Sequence, residues 1–122
     1  MPGDSTASLR FPRSSRVKQQ RDFARARAQG NRVVSGCLIA NVLPRAGVSS
    51  RLGVVTSSKI GNAVVRNRAR RLMRETFRLH QHELAWAMDL VLVARPSIVG
   101  KKLADVEHDF LRVLRQAAPP SQ

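Results

Sequence analysis

The chain has 122 residues, 43% of them hydrophobic, and a formal net charge of +14; this is the composition of one folded domain with one core, not of a disordered chain. Its single cysteine, Cys37, excludes an intrachain disulfide and a cysteine-rich metal cluster. No run approaches the roughly 20 apolar residues that cross a bilayer and no signal peptide is visible, so we expect a cytoplasmic protein without membrane attachment.

The positive charge is unevenly distributed. Residues 81–122 contain five basic and five acidic side chains, so the whole excess lies in residues 1–80. Most of the basic residues are arginine, whose planar guanidinium matches phosphate oxygens and stacks on bases. Such an excess destabilises a compact chain unless a polyanion compensates it. Nucleic acid is the favoured partner, and an anionic membrane surface is the less common alternative.

The N-terminal half predicts one helix and two strands. The segment Arg16–Gln29 has the composition of a helix that ends before a glycine. Val33–Leu43 predicts an apolar strand, Pro44 and Gly47 a turn, and Arg51–Ser57 a second strand. We therefore predict that these two strands form a hairpin.

A break at Gly61-Asn62 precedes a helix with six arginines and a single acid, Glu75. At 100° per residue one face is apolar and is expected in the core; it consists of Val65, Ala69, Leu72, Met73, Thr76 and Leu79, with Phe77 at its margin. The arginines occupy the rest: Arg70, Arg71, Arg74 and Arg78 lie opposite, and Arg66 and Arg68 flank the stripe. Like charges four residues apart destabilise a helix, so this face favours polyanion binding over mere solvation. Free N–H groups at the helix start could contribute to anion binding.

The C-terminal part predicts a buried strand at Met88–Ala94 and an amphipathic helix from Lys102 or Leu103 to Gln116. The order is α-β-β-(β)-α-β-α, which predicts an α+β sandwich with a small mixed sheet packed by helices. Residues 1–9 and 118–122 are small, polar and proline-rich, so we expect disordered tails around a single domain over residues 10–117.

Candidate catalytic residues are scarce. His80 and His82 lie two positions apart, on opposite sides of a helix, and so cannot share a metal ion there. Asp105 and Asp109 share a helix face, but no other acid clusters with them. A nucleotide-binding glycine loop, a zinc spacing and the aromatic ladder of an RRM-type domain are missing from the sequence. We therefore expect a phosphate-binding protein with no catalytic residue and no metal ligand of its own.

The stretch KIGNAVVRNRARRLMRETFR, residues 59–78, resembles the signature of the bacterial ribonuclease P protein family. A lysine and small residues precede GNAV, and an Arg-Asn-Arg box then opens a basic helix. The segment RVKQQRDFARARAQG, residues 16–30, is similar to the family's first helix. The likeness covers residues 10–116.

This resemblance implies a sandwich whose β-α-β crossover is left-handed, against the general rule. It also implies the RNA-binding subunit of an endonuclease, a ribonucleoprotein hydrolase that removes the 5′ leader from precursor tRNA. The partners would be the catalytic RNA and the leader, with no obligate protein partner. The catalytic groups and Mg²⁺ would belong to the RNA, and the protein alone would bind no cofactor. The protein would stabilise the RNA and its metal ions.

The resemblance also implies two sets of site residues. The set facing the catalytic RNA would be Lys59, Asn62, Arg66, Asn67, Arg68, Arg70, Arg71 and Arg74. A leader-binding cleft between the first helix and the sheet would contain Arg16, Lys18, Phe23, Arg27 and Asn41. The last two stand where the family commonly has aromatic residues.

Three other classes of protein remain as alternatives. A ribosomal or other basic RNA-binding protein would share the size and charge. A helix-turn-helix regulator is disfavoured by the strands that flank the arginine helix. A self-sufficient RNA nuclease would need a catalytic centre that the residues do not indicate.

Overall fold

A four-stranded mixed sheet carries one helix on one face and two helices on the other, in a computed structural model that describes residues 16–17, 20–46 and 49–117. The helices are α1 (Gln20–Gln29), α2 (Ala63–His80) and α3 (Leu103–Gln116); the strands are β1 (Asn31–Ser35), β2 (Leu38–Pro44), β3 (Arg51–Val55) and β4 (Met88–Ala94). Single helical turns follow α2 at Gln81–Glu83 and β4 at Pro96–Ile98. The predicted tails and Lys18 lie outside the described residues.

The strand order is β1-β2-β4-β3. β2 pairs antiparallel with both β1 and β4, whereas β3 pairs parallel with β4. This topology confirms the predicted α+β class with its optional third strand. The parallel pair requires a crossover, and α2 makes it. The left-handedness of that crossover stays a prediction.

The predicted hairpin is wrong in its first strand and in its pairing, whereas the second predicted strand is present as β3, Arg51–Val55. Val33–Leu43 is not one strand, because the chain reverses at Gly36 and Cys37 to separate β1 from β2. Gly36 has a φ of +55°, the left-handed conformation that two-residue hairpin loops require and that glycine adopts without strain. β2 and β3, which the prediction paired, are separated in the sheet by β4.

The predicted first helix also begins too early. Arg16 is extended and forms a parallel bridge with Leu52 of β3, and the Val17 N–H donates to the Leu52 carbonyl at 2.8 Å. The helix is described from Gln20. Residues 16–17 therefore extend the sheet beyond β3 rather than beginning α1.

The main core lies between the sheet and the two longer helices. Alternate residues of the central strand β4, Leu90 and Leu92, are fully buried there against Phe77 of α2 and Phe110 of α3. The apolar stripe predicted for α2 is confirmed over most of its length, since Ala69, Met73 and Thr76 are buried and Val65 and Leu72 pack against the same core. Its last member, Leu79, is half-buried. No helix among the described residues is long and apolar enough to cross a membrane.

Two acidic side chains of α3 accept backbone hydrogen bonds from neighbouring segments of the chain. Asp109 accepts a hydrogen bond from the Cys37 N–H at 3.0 Å and so fixes the β1–β2 turn against α3. Asp105 accepts from the Lys102 N–H at 2.9 Å at the helix start. Burial, reinforced by Asp109, raises the pKa of the Cys37 thiol to about 12. Both carboxylates therefore have structural roles.

His80, the last residue of α2, connects this helix to α3. Its Nδ1 contacts Glu83 Oε2, and its Nε2 lies 2.7 Å from Glu107 Oε2. Burial disfavours the imidazolium, but hydrogen bonds with the two carboxylates outweigh it and raise the pKa of His80. Because carboxylates only accept hydrogen bonds, the ring satisfies both partners when it is protonated.

Candidate nucleic-acid interface

The arginine helix starts at a defined cap. Asn62 precedes α2, and its side-chain oxygen accepts the Val65 N–H at 3.1 Å. Asparagine is a preferred residue at this position because it satisfies one of the free N–H groups at a helix start. The cap fixes where α2 begins and hence the direction in which each arginine points. Asn62, predicted in the RNA-facing set, thus has a structural role as well.

Three arginines form a cluster beside the edge strand β3, which we call the β3-edge cluster: Arg16, Arg70 and Arg74. Arg70 donates to Thr56 Oγ1 at 2.6 Å, just beyond the end of β3, and also contacts the Asn67 side chain. Burial, together with the charges of Arg16 and Arg70, lowers the pKa of Arg74. Three positive charges held close together form a site for a polyanion.

Arg66 lies one turn before Arg70 on α2 and is half-buried. Its Nε is buried without a hydrogen-bond partner among the described residues. A buried donor left unpaired is costly, and an anion at this point of the helix would satisfy it. Arg66 therefore extends the β3-edge cluster toward the start of α2.

Other predicted RNA-facing residues lie on different sides of α2 or before it. Arg68 donates to the Lys101 carbonyl at 2.7 Å, across to the segment that precedes α3. Arg71, Asn67 and Lys59 are exposed. Glu75, the only acid of the helix, is engaged by Arg78 at 2.9 and 2.5 Å. It therefore does not neutralise the β3-edge cluster.

The opposite face of the sheet carries α1, and the predicted leader cleft would lie on this face beside that helix. The strand register places Asn41, Val91 and Gly53 in one row on this face. Phe23 of α1 packs over Gly53, where an added Cβ would lie 2.6 Å from its ring. Gly53 thus permits the close approach of α1 to the sheet.

The next row along the same face is uncovered and apolar. It consists of Val34, Ile39, Val93 and Val55, one from each strand, and we call it the open row. Val34 is 46% exposed, and the other three are half-buried. Because Thr56 follows Val55 directly, the open row ends where Arg70 is anchored. An apolar floor therefore runs up to a cluster of positive charge.

A buried ion pair fixes α1 over the sheet. Asp89 of β4 is 5% exposed and accepts two hydrogen bonds from Arg51 of β3, at 2.8 and 2.7 Å. Arg51 also lies 3.7 Å from Asp22 of α1. The carboxylate of Asp89 raises the pKa of Arg51, chiefly through these hydrogen bonds. This network links α1 to the central strands.

The residues predicted for the leader cleft are partly brought together. Phe23 lies on the cleft side of α1, with Arg27 exposed one turn later, and Arg16 lies at the β3 edge. Asn41 is on the correct face but only 6% exposed, so it supports the floor, and its direct contact with a leader stays a prediction. The open row and Thr56 were missed, because only the register across non-consecutive strands reveals them.

The described part of the chain contains no cluster of side chains that could hold a metal ion beside these surfaces. No three His, Cys, Asp or Glu side chains gather there into a group that could hold a metal ion. What the described residues offer is donors and cations for phosphate, beside an apolar floor.

The chain is similar to known proteins over most of its length. The family model for ribonuclease P matches residues 11–118. The ribonuclease P protein component of Desulfovibrio desulfuricans is 37% identical over 111 residues, covering 89% of this chain and 82% of that protein. That of Gluconacetobacter diazotrophicus is 36% identical over 107 residues, covering 86% and 92%.

Two solved structures share the fold. The RNase P protein of Staphylococcus aureus superposes with a TM-score of 0.75 at 28% identity, covering 83% of this chain and 93% of that one. The RNase P protein of Thermotoga maritima gives a TM-score of 0.78 at 24% identity, covering 85% and 98%. The alternative of a ribosomal protein finds no support among these relatives.

Proposed function

Because this chain belongs to the ribonuclease P protein family, we propose that its α1-side cleft binds the 5′ leader of precursor tRNA while its arginine helix binds the catalytic RNA. The protein is an RNA-binding subunit of the ribonuclease P holoenzyme, which processes tRNA 5′ ends. Its association with ribonuclease P RNA follows from that membership. The surfaces used and the leader contact are the proposal.

The observation that carries the proposal is the meeting of the β3-edge cluster and the open row at Thr56. Arg70, Arg74 and Arg16 supply charge for backbone phosphates, and Val55 begins an apolar floor directly beside them. Single-stranded nucleic acid presents both features, a charged backbone and bases with apolar faces. A single strand could therefore lie with its phosphates at the β3 edge and its bases over the open row.

The remaining arginines of α2 suit a second and larger RNA. Arg66 has a buried Nε ready to donate, and Arg71 is exposed on a different side of the helix. One narrow strand cannot cover sides of a helix this far apart. We assign these side chains to the catalytic RNA and place Arg70 and Arg74 at the boundary, where they contact phosphates of both that RNA and the leader.

We place the Mg²⁺ ions of the holoenzyme on the RNA. Mg²⁺ prefers oxygen ligands such as carboxylates and phosphates, and the described acids are engaged in structural contacts. Mg²⁺ supplies charge neutralisation and activation of the attacking water at a phosphodiester. The chain's own contribution is to neutralise RNA phosphates, which lets the RNA fold at lower Mg²⁺ concentration.

Phe23→Ala tests the leader cleft. The substitution removes the ring that walls the cleft over Gly53, and we expect the holoenzyme's preference for precursor over mature tRNA to fall about tenfold, since one stacked base contributes about 1–3 kcal/mol. The measurement compares dissociation constants for the two tRNAs. Binding of the catalytic RNA by the variant should stay near that of the wild type. Equal weakening for precursor and mature tRNA would show that Phe23 does not contact the leader.

A further inference from the structure

A second concave surface lies on the side of α2 that faces away from β3, between α2 and the segment before α3; we call it the α2–α3 groove. It consists of two adjoining depressions of about 360 and 280 Å³, and Arg68 lines both. The first is also lined by Arg71, Leu72, Leu103 and Glu75, whose carboxylate is paired with Arg78. The exposed side chains of the second are Val64 and Val99. The first volume lies at the small end of the range for ligand sites, which begins at about 300 Å³, and the second lies just below it.

The floor of the groove contains exposed apolar side chains, which are uncommon on the surface of this protein's described residues. Val34, Val64 and Val99 are the large hydrophobic side chains exposed in the described residues. Val34 belongs to the open row, and the other two line this groove at 76% and 51% exposure. Exposed apolar side chains gathered in a concavity indicate an interaction site, whereas scattered ones do not.

The rim of the groove is positively charged. Arg68 and Arg71 come from α2, and Lys101 and Lys102 lie on the facing segment. The acids of this side are engaged, since Glu75 pairs with Arg78 and Asp105 accepts the Lys102 N–H. A protein partner would need a matching acidic rim around an apolar knob. An RNA brings phosphates to the rim and the apolar face of a base to the floor.

We propose that the α2–α3 groove holds an unstacked base of the catalytic RNA, with the guanidinium of Arg68 or Arg71 stacked on it. The inference rests on the proposed function, because it assumes that α2 lies against that RNA. Guanidinium planes stack on bases and also contact phosphates. A paired helix would keep its bases inside and leave the valines uncovered, so an unpaired nucleotide is the occupant that satisfies both floor and rim.

The double substitution Val64→Ser/Val99→Ser tests the apolar floor while leaving every charge in place. We expect affinity for the catalytic RNA to fall about tenfold, as expected for losing part of the burial of two valine side chains. The dependence of affinity on salt should stay unchanged, since no phosphate contact is removed. Ala85→Ser is the control: it places a serine at an exposed apolar residue that lies outside both surfaces, and it should leave affinity for the catalytic RNA at the wild-type value. Thermal unfolding should be unaltered in both variants.

Crosslinking identifies the occupant. A photoreactive azidophenacyl group is attached to the new cysteine of the Val99→Cys variant. The natural Cys37 is 1% exposed and has a pKa of about 12, so it does not react with the reagent. We expect a crosslink to an unpaired nucleotide of the catalytic RNA. A crosslink only to paired RNA, to precursor tRNA or to a second protein copy would overturn the proposal, as would unchanged affinity in the double variant. If the wild-type protein itself fails to bind the RNA, the proposed function fails instead.

Discussion

Replacing Arg70 and Arg74 together with alanine should weaken binding of ribonuclease P RNA by about 100-fold, because hydrogen bonds to charged groups are worth about 1.5 kcal/mol or more each. Both side chains belong to the β3-edge cluster, in which burial and neighbouring charges already lower the pKa of Arg74. Anion binding would relieve that mutual repulsion. The slope of log affinity against log salt should shrink by about 1 for each arginine lost. Filter binding or fluorescence anisotropy over a range of salt concentrations measures both quantities.

A matched control separates this surface from net charge. Arg112 and Arg115 are exposed on α3, in the charge-balanced part of the chain. Arg112→Ala/Arg115→Ala removes the same formal charge, and we expect it to change affinity by about threefold or less, since distant surface charges are screened. Equal losses for the two double variants would mean that binding follows overall charge and that the β3-edge cluster is not a dedicated site.

Asp89→Ala should destabilise the fold by about 3 kcal/mol, since it removes both hydrogen bonds of Arg51 and leaves this guanidinium only the longer contact with Asp22. Asp89 is 5% exposed and binds Arg51 through two hydrogen bonds. Arg51 retains some exposure, which places the expected loss at the lower end of the usual range. Urea unfolding followed by the fluorescence of Trp86 measures the change in the free energy of unfolding.

A double-mutant cycle provides the control for this pair. Arg51→Ala/Asp89→Ala removes both charges, so its loss should be smaller than the sum of the two single losses. Because Arg51 also lies near Asp22, the Asp89 variant should show faster amide exchange in α1. Additive losses, or a loss below about 1 kcal/mol for Asp89→Ala, would show that the pair does not fix α1 over the sheet.

The sequence was most informative where apolar periodicity was strong and local. Met88–Ala94 was predicted with the bounds that the structure has, and the last helix, predicted from Lys102 or Leu103 to Gln116, begins at Leu103. The core stripe of α2 was placed correctly over most of its length. In each case the burial pattern depends on residues within one element. The direction of the α2 arginines followed from the same periodicity.

The pairing of strands that are distant in the sequence could not be predicted from local periodicity. The run through Gly36 and Cys37 is apolar on both sides, so the chain reversal is marked only by the Ser35-Gly36 dipeptide, a short turn signal inside an apolar segment. β3 pairs with β4 across an intervening helix, which neighbouring-strand reasoning cannot anticipate. The open row depends on that pairing, since it takes one residue from each of four strands. The floor of the cleft therefore emerged only from the sheet register.

Reconstitution tests the central claim most directly. Purified protein is added to a bacterial ribonuclease P RNA and precursor tRNA, at a Mg²⁺ concentration too low for the RNA alone to cleave. We expect the protein to restore release of the 5′ leader and the Arg70→Ala/Arg74→Ala variant to do so only at higher protein concentration. Absence of any stimulation by the wild-type protein, or cleavage by the protein without the RNA, would contradict the assignment of this chain as the RNA-binding subunit of a catalytic RNA.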